Sequence, residues 1–164
     1  MYLKHFVLEN DFEIIKNWIN DERTHAMWCA NHFSFPLEKE NFSSVLSYVA
    51  DKFGDTPYLA MTGEESAAGF FCYSLNEETK EGMLKFVVIN PELRGKGAAG
   101  EMLKAICGHA FENGAQLVQL NVFPENIRAK KCYLKAGFIT RSITENAFSY
   151  KDESWGRCNM ILRK

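Results

Sequence analysis

Pro91-Glu92-Leu93-Arg94-Gly95-Lys96-Gly97-Ala98-Ala99-Gly100 follows an apolar stretch, Met83 to Ile89, and opens directly into an amphipathic one. A strand that ends in a glycine-rich turn and launches a helix leaves backbone N–H groups unpaired at the positive end of the helix dipole. Phosphate oxygens are held at such ends. The spacing, Arg94-x-x-Gly97-x-Ala99, is neither the six-residue dinucleotide fingerprint nor the Lys-Ser/Thr form of a nucleotide-triphosphate loop. It predicts a pyrophosphate cradle of another kind. Its donors are the amides of Gly95, Gly97, Ala98, Ala99 and Gly100, with Arg94 and Lys96 adding positive charge. The competing reading is a surface turn that only joins strand to helix.

Outward from the turn, the spacing predicts a helix over Ala99 to Asn113. Leu103, Ile106, Cys107, Ala110 and Phe111 recur at helical intervals, and Gly114 ends the run. Upstream, Tyr58 to Met61, Ala67 to Leu75 and Met83 to Ile89 read as successive strands, with Gly63-Glu64-Glu65 and Asn76-Glu77-Glu78 as turns. Downstream come a strand at Leu117 to Phe123, a helix from Asn126 to Ala136 closed by Gly137, and a final antiparallel pair, Phe138 to Ser149 and Arg157 to Leu162. At the N-terminus, Tyr2 to Leu8 predicts a first strand. Asn10 is expected to cap a helix whose apolar face is Phe12, Ile14, Ile15, Trp18 and Ile19. A short helix over Asp21 to Ala30 follows, then one starting at Pro36, carrying Phe42, Val45, Leu46 and Val49, and stopped by Gly54. The expectation is one α/β domain over residues 1–164 with a mixed sheet.

Composition narrows the function. A chain of 164 residues with 46% hydrophobic and 24% charged residues suits one soluble domain. A net charge of −2 gives no basic field for nucleic acid. No apolar run reaches the roughly 20 residues that span a bilayer, so no membrane partner is expected. Five scattered cysteines without a Cys-x-x-Cys pair read as reduced thiols of a cytoplasmic protein, with no metal site.

A second segment, Asn121 to Phe138, sets Asn126, Ala129 and Tyr133 on one helical face. Asn126 offers a donor and an acceptor to an amide-bearing ligand, Ala129 leaves space, and Tyr133 adds a phenol one turn on. The alternatives are that Asn126 caps the helix and Tyr133 packs in the core.

Together, Arg94-Gly95-Lys96-Gly97-Ala98-Ala99 and Asn126-x-x-Ala129-x-x-x-Tyr133-x-x-x-Gly137-Phe138 resemble the GNAT family of N-acetyltransferases. The resemblance implies a twisted, mostly antiparallel mixed sheet flanked by helices and split between its fourth and fifth strands. It implies acetyl-CoA as co-substrate, with the pyrophosphate on residues 95–100 and the pantetheine arm along Val87, Val88 and Ile89. Asn126 and Ala129 would lie beside that arm, and Lys130 or Lys131 would meet the outer phosphate. The implied reaction is direct transfer of an acetyl group to an amine, with Tyr133 as general acid. The family's usual acid on the fourth strand is replaced by Met83, so Glu81 is the nearest candidate base. His25, His32, Glu145 and Asp152 are other conceivable bases. Cys107 and Cys132 read as inert core thiols.

The acceptor side is expected to use Trp28, His32, Phe33, Phe35, Tyr150 and Trp155, with Glu22, Glu145, Asp152 and Glu153 available to a cationic amine. A small amine, an amino acid, an aminoglycoside-like polyamine and a peptide N-terminus all fit. The alternative function is a non-catalytic acyl-CoA-binding or sensing domain. A homodimer is consistent with the family.

Overall fold

The computed structural model describes residues 1–63 and 65–164; Glu64, the middle of the first expected strand turn, lies outside the described residues. In chain order the elements are β1 (Tyr2–His5), α1 (Leu8–Ile15), α2 (Glu22–Cys29), α3 (Lys39–Phe53), β2 (Thr56–Met61), β3 (Ala67–Asn76) and β4 (Glu81–Ile89). A 3-10 turn at Pro91–Leu93 leads to α4 (Ala98–Glu112), β5 (Leu117–Val122), α5 (Ile127–Lys135), β6 (Ile139–Tyr150) and β7 (Glu153–Arg163). The sheet order is β1-β2-β3-β4-β5-β7-β6. Every neighbouring pair is antiparallel except β4–β5, whose connection through α4 makes it parallel.

Both faces of the sheet are covered. On one side Met102, Leu103, Ile106 and Ala110 of α4 pack with Tyr133 of α5 against Phe71, Leu84, Val118, Leu120 and Met160. On the other, Phe12, Ile15, Phe42 and Leu46 of α1 and α3 pack against Phe6, Leu59, Phe70, Cys72 and Val88. Strand β3 runs between the two layers, which explains its unbroken apolar sequence, buried from Ala67 to Ser74. A third cluster of Ala26, Tyr150 and Trp155 closes the β6–β7 hairpin onto α2.

Several boundaries differ from the sequence expectation for local reasons. Strand β1 ends at His5, and α1 starts at Leu8 with Val7 as its cap residue rather than Asn10. Asp11, buried within that helix, reaches back to accept from the Val7 N–H at 2.7 Å and from Lys4 Nζ at 2.9 Å. Trp18 and Ile19 therefore enter the core from the following turn, and Ile14 is exposed. Helix α3 begins at Lys39 rather than Pro36 because Ser34 holds the preceding residues in a turn. Its N–H donates to Asn41 Oδ1 at 2.7 Å and its hydroxyl to the Pro36 carbonyl at 3.2 Å.

One irregularity within β4 governs the rest. The register pairs Phe70 with Val88 and Cys72 with Lys85, so Phe86 and Val87 together oppose Phe71. Phe86 has φ of +52°. This is a β-bulge, and one extra residue reverses which face each side chain meets. Before it, Leu84 lies in the α4 layer; after it, Val87 and Ile89 do, and Val88 turns to the opposite core.

Helix α4 sits close on β3 because Gly69 has no side chain. A Cβ there would lie 2.7 Å from the Val88 carbonyl and against Met102 Sδ. Backbone cannot yield as a side-chain tip can, so Gly69→Ala is expected to destabilise the fold by about 2 kcal/mol, within the range for overpacking. Urea unfolding checks this; an unchanged midpoint would show that α4 is not seated on this contact.

Candidate active site

Parallel pairing between β4 and β5 runs from Glu81 with Leu117 to Leu84 with Leu120 and then stops. Strand β4 continues to Ile89 along β3, while β5 follows β7 as far as the Val122–Cys158 pair. The strands part, and the β4 edge from Lys85 to Ile89 is left without a partner on that side. Val87, Val88 and Ile89 lie along it. An unpaired strand edge offers main-chain donors and acceptors to an extended ligand, as it would to another strand.

The glycine turn stands at the end of the same edge. Asn90 anchors its start, accepting from the Glu92 N–H at 3.0 Å and donating to the Ala67 carbonyl at 3.0 Å. Gly95 (φ +78°) and Gly97 (φ +86°) take the left-handed conformations that the bend requires. Gly97 is the cap residue of α4 and brings no side chain to satisfy the first-turn amides. The N–H groups of Lys96, Gly100 and Glu101 return to nearby carbonyls at 3.0–3.3 Å. Those of Gly95, Gly97, Ala98 and Ala99 have no partner among the described residues. A Cβ placed at Gly95, Gly97 or Gly100 meets open space. The turn is an uncapped, concave array of donors, and a diphosphate fits it.

Charge gathers around this array. Lys96 is exposed, as expected, but Arg94 does more than face solvent: its guanidinium donates to the Trp18 carbonyl at 3.2 Å, tying the turn to the segment after α1. Partial burial lowers the Arg94 pKa, and the nearby cation Arg128 on α5 lowers it further. Arg128 was missed by sequence reasoning, since only the packing of α5 beside the turn brings the two guanidiniums together. The Asp21 carboxylate offsets part of the Arg94 charge, and the remaining positive charge of the two guanidiniums favours an anion beside them.

Helix α5 presents the second motif. Asn126 is its cap, accepting from the Ala129 N–H at 3.3 Å, which leaves its side-chain NH₂ free to donate. Ala129 is half-buried against the α4 layer; Lys130 is half-buried and Lys131 exposed. Tyr133 is buried against Phe138, with ring centroids 5.9 Å apart, and its hydroxyl has no hydrogen-bond partner among the described residues. Burial pushes the phenol well above its ordinary value of 10.0. The residue is thus both a core aromatic and a phenol held in its protonated form well above neutral pH.

On the α2–α3 side of the parted strands lies a cleft of about 1180 Å³. Trp28, Met83, Phe86, Phe123 and Phe148 supply its apolar walls, and His32, Glu81, Gln119 and Asn121 its polar groups. Glu81 sits at the closed end of β4, where it accepts from Gln119 Nε2 at 2.6 Å and pairs with Arg141 at 3.2 Å. Met83 lines the cleft, at the position read from sequence as replacing the family's usual acid. Lys85 donates to Asp55 Oδ2 at 2.6 Å beneath the Phe53 ring.

Other expected acceptor-side residues go elsewhere. Phe33 is in the core, Phe35 lies over His25, and Tyr150 and Trp155 stack within the hairpin under Arg23. Glu22 pairs with Lys151 and Glu153 with Arg23, and neither they nor Glu145 and Asp152 line the cleft. His25 is buried, with Nε2 at 2.9 Å from the Phe33 carbonyl. His32 does line the cleft, with its ring 6.0 Å from that of Phe86.

Comparison with known proteins agrees with this geometry. The model of the acetyltransferase (GNAT) family matches residues 12–138. An aminoglycoside N(6')-acetyltransferase type 1 of Klebsiella pneumoniae is 27% identical over 142 residues, 79% of this chain and 70% of that protein; one of Serratia marcescens matches equally. Among solved structures, the Vibrio cholerae spermidine N-acetyltransferase in complex with CoA and spermine superposes with a TM-score of 0.80 at 18% identity, covering 98% of this chain and 94% of the other. The Brucella melitensis ribosomal-protein-alanine N-acetyltransferase has a TM-score of 0.75 at 17% identity, with full coverage of both chains. With the parted β4 and β5, the uncapped glycine turn and a matched segment spanning most of its length, the chain belongs to the acetyltransferase (GNAT) family.

Proposed function

We propose that this acetyl-CoA-dependent N-acetyltransferase holds its co-substrate in the wedge between β4 and β5 and takes its amine acceptor from the α2–α3 cleft. The reading rests on an unpaired strand edge that runs up to an uncapped helix start, with the Tyr133 phenol buried in the α4 layer against which Val87 and Ile89 pack. The amides of Gly95, Gly97, Ala98 and Ala99 would bind the pyrophosphate, supported by Lys96 and by the Arg94–Arg128 pair; the Gly100 amide, expected from sequence as a donor, is taken by the Gly97 carbonyl, and Gly100 would instead leave room beside the cradle. The backbone of Val87, Val88 and Ile89 would pair with the pantetheine amides. Asn126 would donate to the same arm past the small Ala129, and Lys130 or Lys131 would reach the outer phosphate.

Bound acetyl-CoA would supply the activated thioester. A main-chain N–H on the unpaired part of β4 would stabilise the developing oxyanion. Tyr133 would hold a proton for the departing sulfur; its burial keeps the phenol charged with that proton at neutral pH. The proton of the incoming ammonium would leave through the open cleft, where His32 and Glu81 are the titratable acceptors on the wall. Glu81, held by Arg141 and Gln119, would act through water at the closed end, and His32 nearer the bulge. The acceptor is a small-molecule or peptide amine, as the names of the relatives indicate for those proteins. We further propose a cytoplasmic protein able to form a homodimer; among the described residues no helix is long and apolar enough to cross a membrane.

Gly100 separates ligand binding from folding. Its φ is ordinary and a side chain there meets nothing, so Gly100→Leu is expected to fold normally, with helix propensity even favouring it. Calorimetry should show acetyl-CoA affinity at least tenfold weaker; unchanged affinity would remove the cradle. Tyr133→Phe is expected to lower kcat about 100-fold, in the range for a lost general acid, with KM for acetyl-CoA within twofold. The pH profile supplies a further test. A phenol raised above 10.0 stays protonated until pH rises through that higher value, so kcat should show no descending limb below about pH 10. A limb near neutrality would assign the acid elsewhere.

A further inference from the structure

The cleft has a charge that the rest of the molecule does not share. The chain carries −2 overall. Among the described residues lining the cleft, three are cations, Lys52, Lys85 and Arg157, and one is a carboxylate, Glu81. Two of these charges are already matched: Lys85 by Asp55 at 2.6 Å and Glu81 by Arg141 at 3.2 Å. Lys52 donates only to the neutral Tyr48 hydroxyl at 2.8 Å. Arg157 is exposed and makes no hydrogen bond or ion pair among the described residues. The unmatched charge in the cleft is therefore positive.

Register places Arg157 beside the reacting region. Strand β7 pairs Asn159 with Asn121 and Cys158 with Val122, the last residue of β5. Arg157 is one step further on and shares the cleft with Asn121, at the level where β4, across the opening, carries its bulge. A planar guanidinium there, with its donors free, matches the two oxygens of a carboxylate. Trp28, also on the cleft wall, has a buried indole N–H without an acceptor among the described residues. A polycationic amine would instead meet like charge and no unpaired carboxylate.

Resting on the acetyl-transfer reading above, we propose that the acceptor is an amine that also carries a carboxylate, an amino-acid-like molecule, and that Arg157 binds that carboxylate and so sets acceptor specificity. The amine then points toward the wedge while the carboxylate stays on the β7 wall.

The test measures CoA release with α-, β- and γ-amino acids and with their matching amides, together with spermidine and an aminoglycoside. Acetyl-CoA binding is followed by calorimetry on the same samples. Amides carry the more acidic ammonium group, so intrinsic reactivity favours them and a preference for the acids reports recognition. The expected result is a kcat/KM at least tenfold higher for the best acid than for its amide. Arg157→Gln should erase that preference by raising KM for the acid, with little change for the amide or for acetyl-CoA, and Arg157→Lys should restore part of it. Preference for amides or polycations, or an acid preference that survives Arg157→Gln, overturns the proposal while acetyl transfer stands. Failure to bind acetyl-CoA, with no release from any amine, would overturn the transfer reading as well.

Discussion

The structure depends on where β4 stops pairing with β5. Four register pairs hold the strands together, and beyond Leu84 the hydrogen-bonding capacity of β4 on that side is unused. In a sheet whose faces are both covered, buried main-chain groups need partners, so an opening of this kind is stable only where water or a ligand can supply them. The bulge at Phe86 makes the opening useful. It reverses the side-chain alternation, so Val87 and Ile89 rest on the α4 layer while Val88 joins the other core. The strand is thereby anchored from both faces at the point where its edge is free. A strained φ at a bulky aromatic residue costs on the order of 1–3 kcal/mol, and surrounding packing must hold it. Phe33 and Trp28 crowd the Phe86 ring, at centroid distances of 4.7 and 6.5 Å.

On the proposed reading, the same arrangement would separate the two halves of the reaction in space. The helix dipole, the glycine amides and the Arg94–Arg128 pair lie at the α4–α5 end of the wedge, where negative charge is stabilised. The α2–α3 cleft opens on the other face of the sheet, with its own polar groups and apolar walls. Two ligands can approach one point from opposite faces without competing for the same donors. Gly69 contributes indirectly: by letting α4 lie close to β3, it fixes the height of the helix start relative to the β4 edge.

Much of this was legible in the sequence because it is local. The glycines at 95 and 97, the helical spacing after Ala98 and the Asn126-to-Tyr133 spacing specify conformation within a turn or two, and the structure follows them. Asn126 could be read both as a cap and as a ligand contact, and its cap bond occupies only the carbonyl oxygen. What was illegible depends on contacts distant in the chain. Nothing in Lys85-Phe86-Val87 announces a bulge, since a Phe with positive φ is imposed by the neighbouring strand and by Trp28 and Phe33, far upstream in the chain. Of the acidic residues offered to an amine, Glu153 and Glu22 are neutralised by Arg23 and Lys151 while Glu145 and Asp152 lie away from the cleft, and the meeting of Arg128 with Arg94 depends on how α5 docks. Helix starts at Leu8 and Lys39 were displaced by Asp11 and Ser34, whose bonds to main-chain groups outcompete simple capping preferences.

The cysteines have a consequence for turnover. Burial pushes the Cys29 thiol to about 11 and Cys107 to about 12, raises Cys72 further, and raises the half-buried Cys132 as well. At pH 7 a thiol with a pKa of 11 is ionised in only about one molecule in ten thousand, and the thiolate is the species that attacks disulfides and electrophiles. Cys29, the one cysteine among the described residues lining the cleft, is therefore kept protonated at neutral pH. A fold that liberates a free thiol with each cycle thus keeps these four thiols of its own protonated, and so poorly able to intercept acyl groups or to become trapped in mixed disulfides as its product is oxidised.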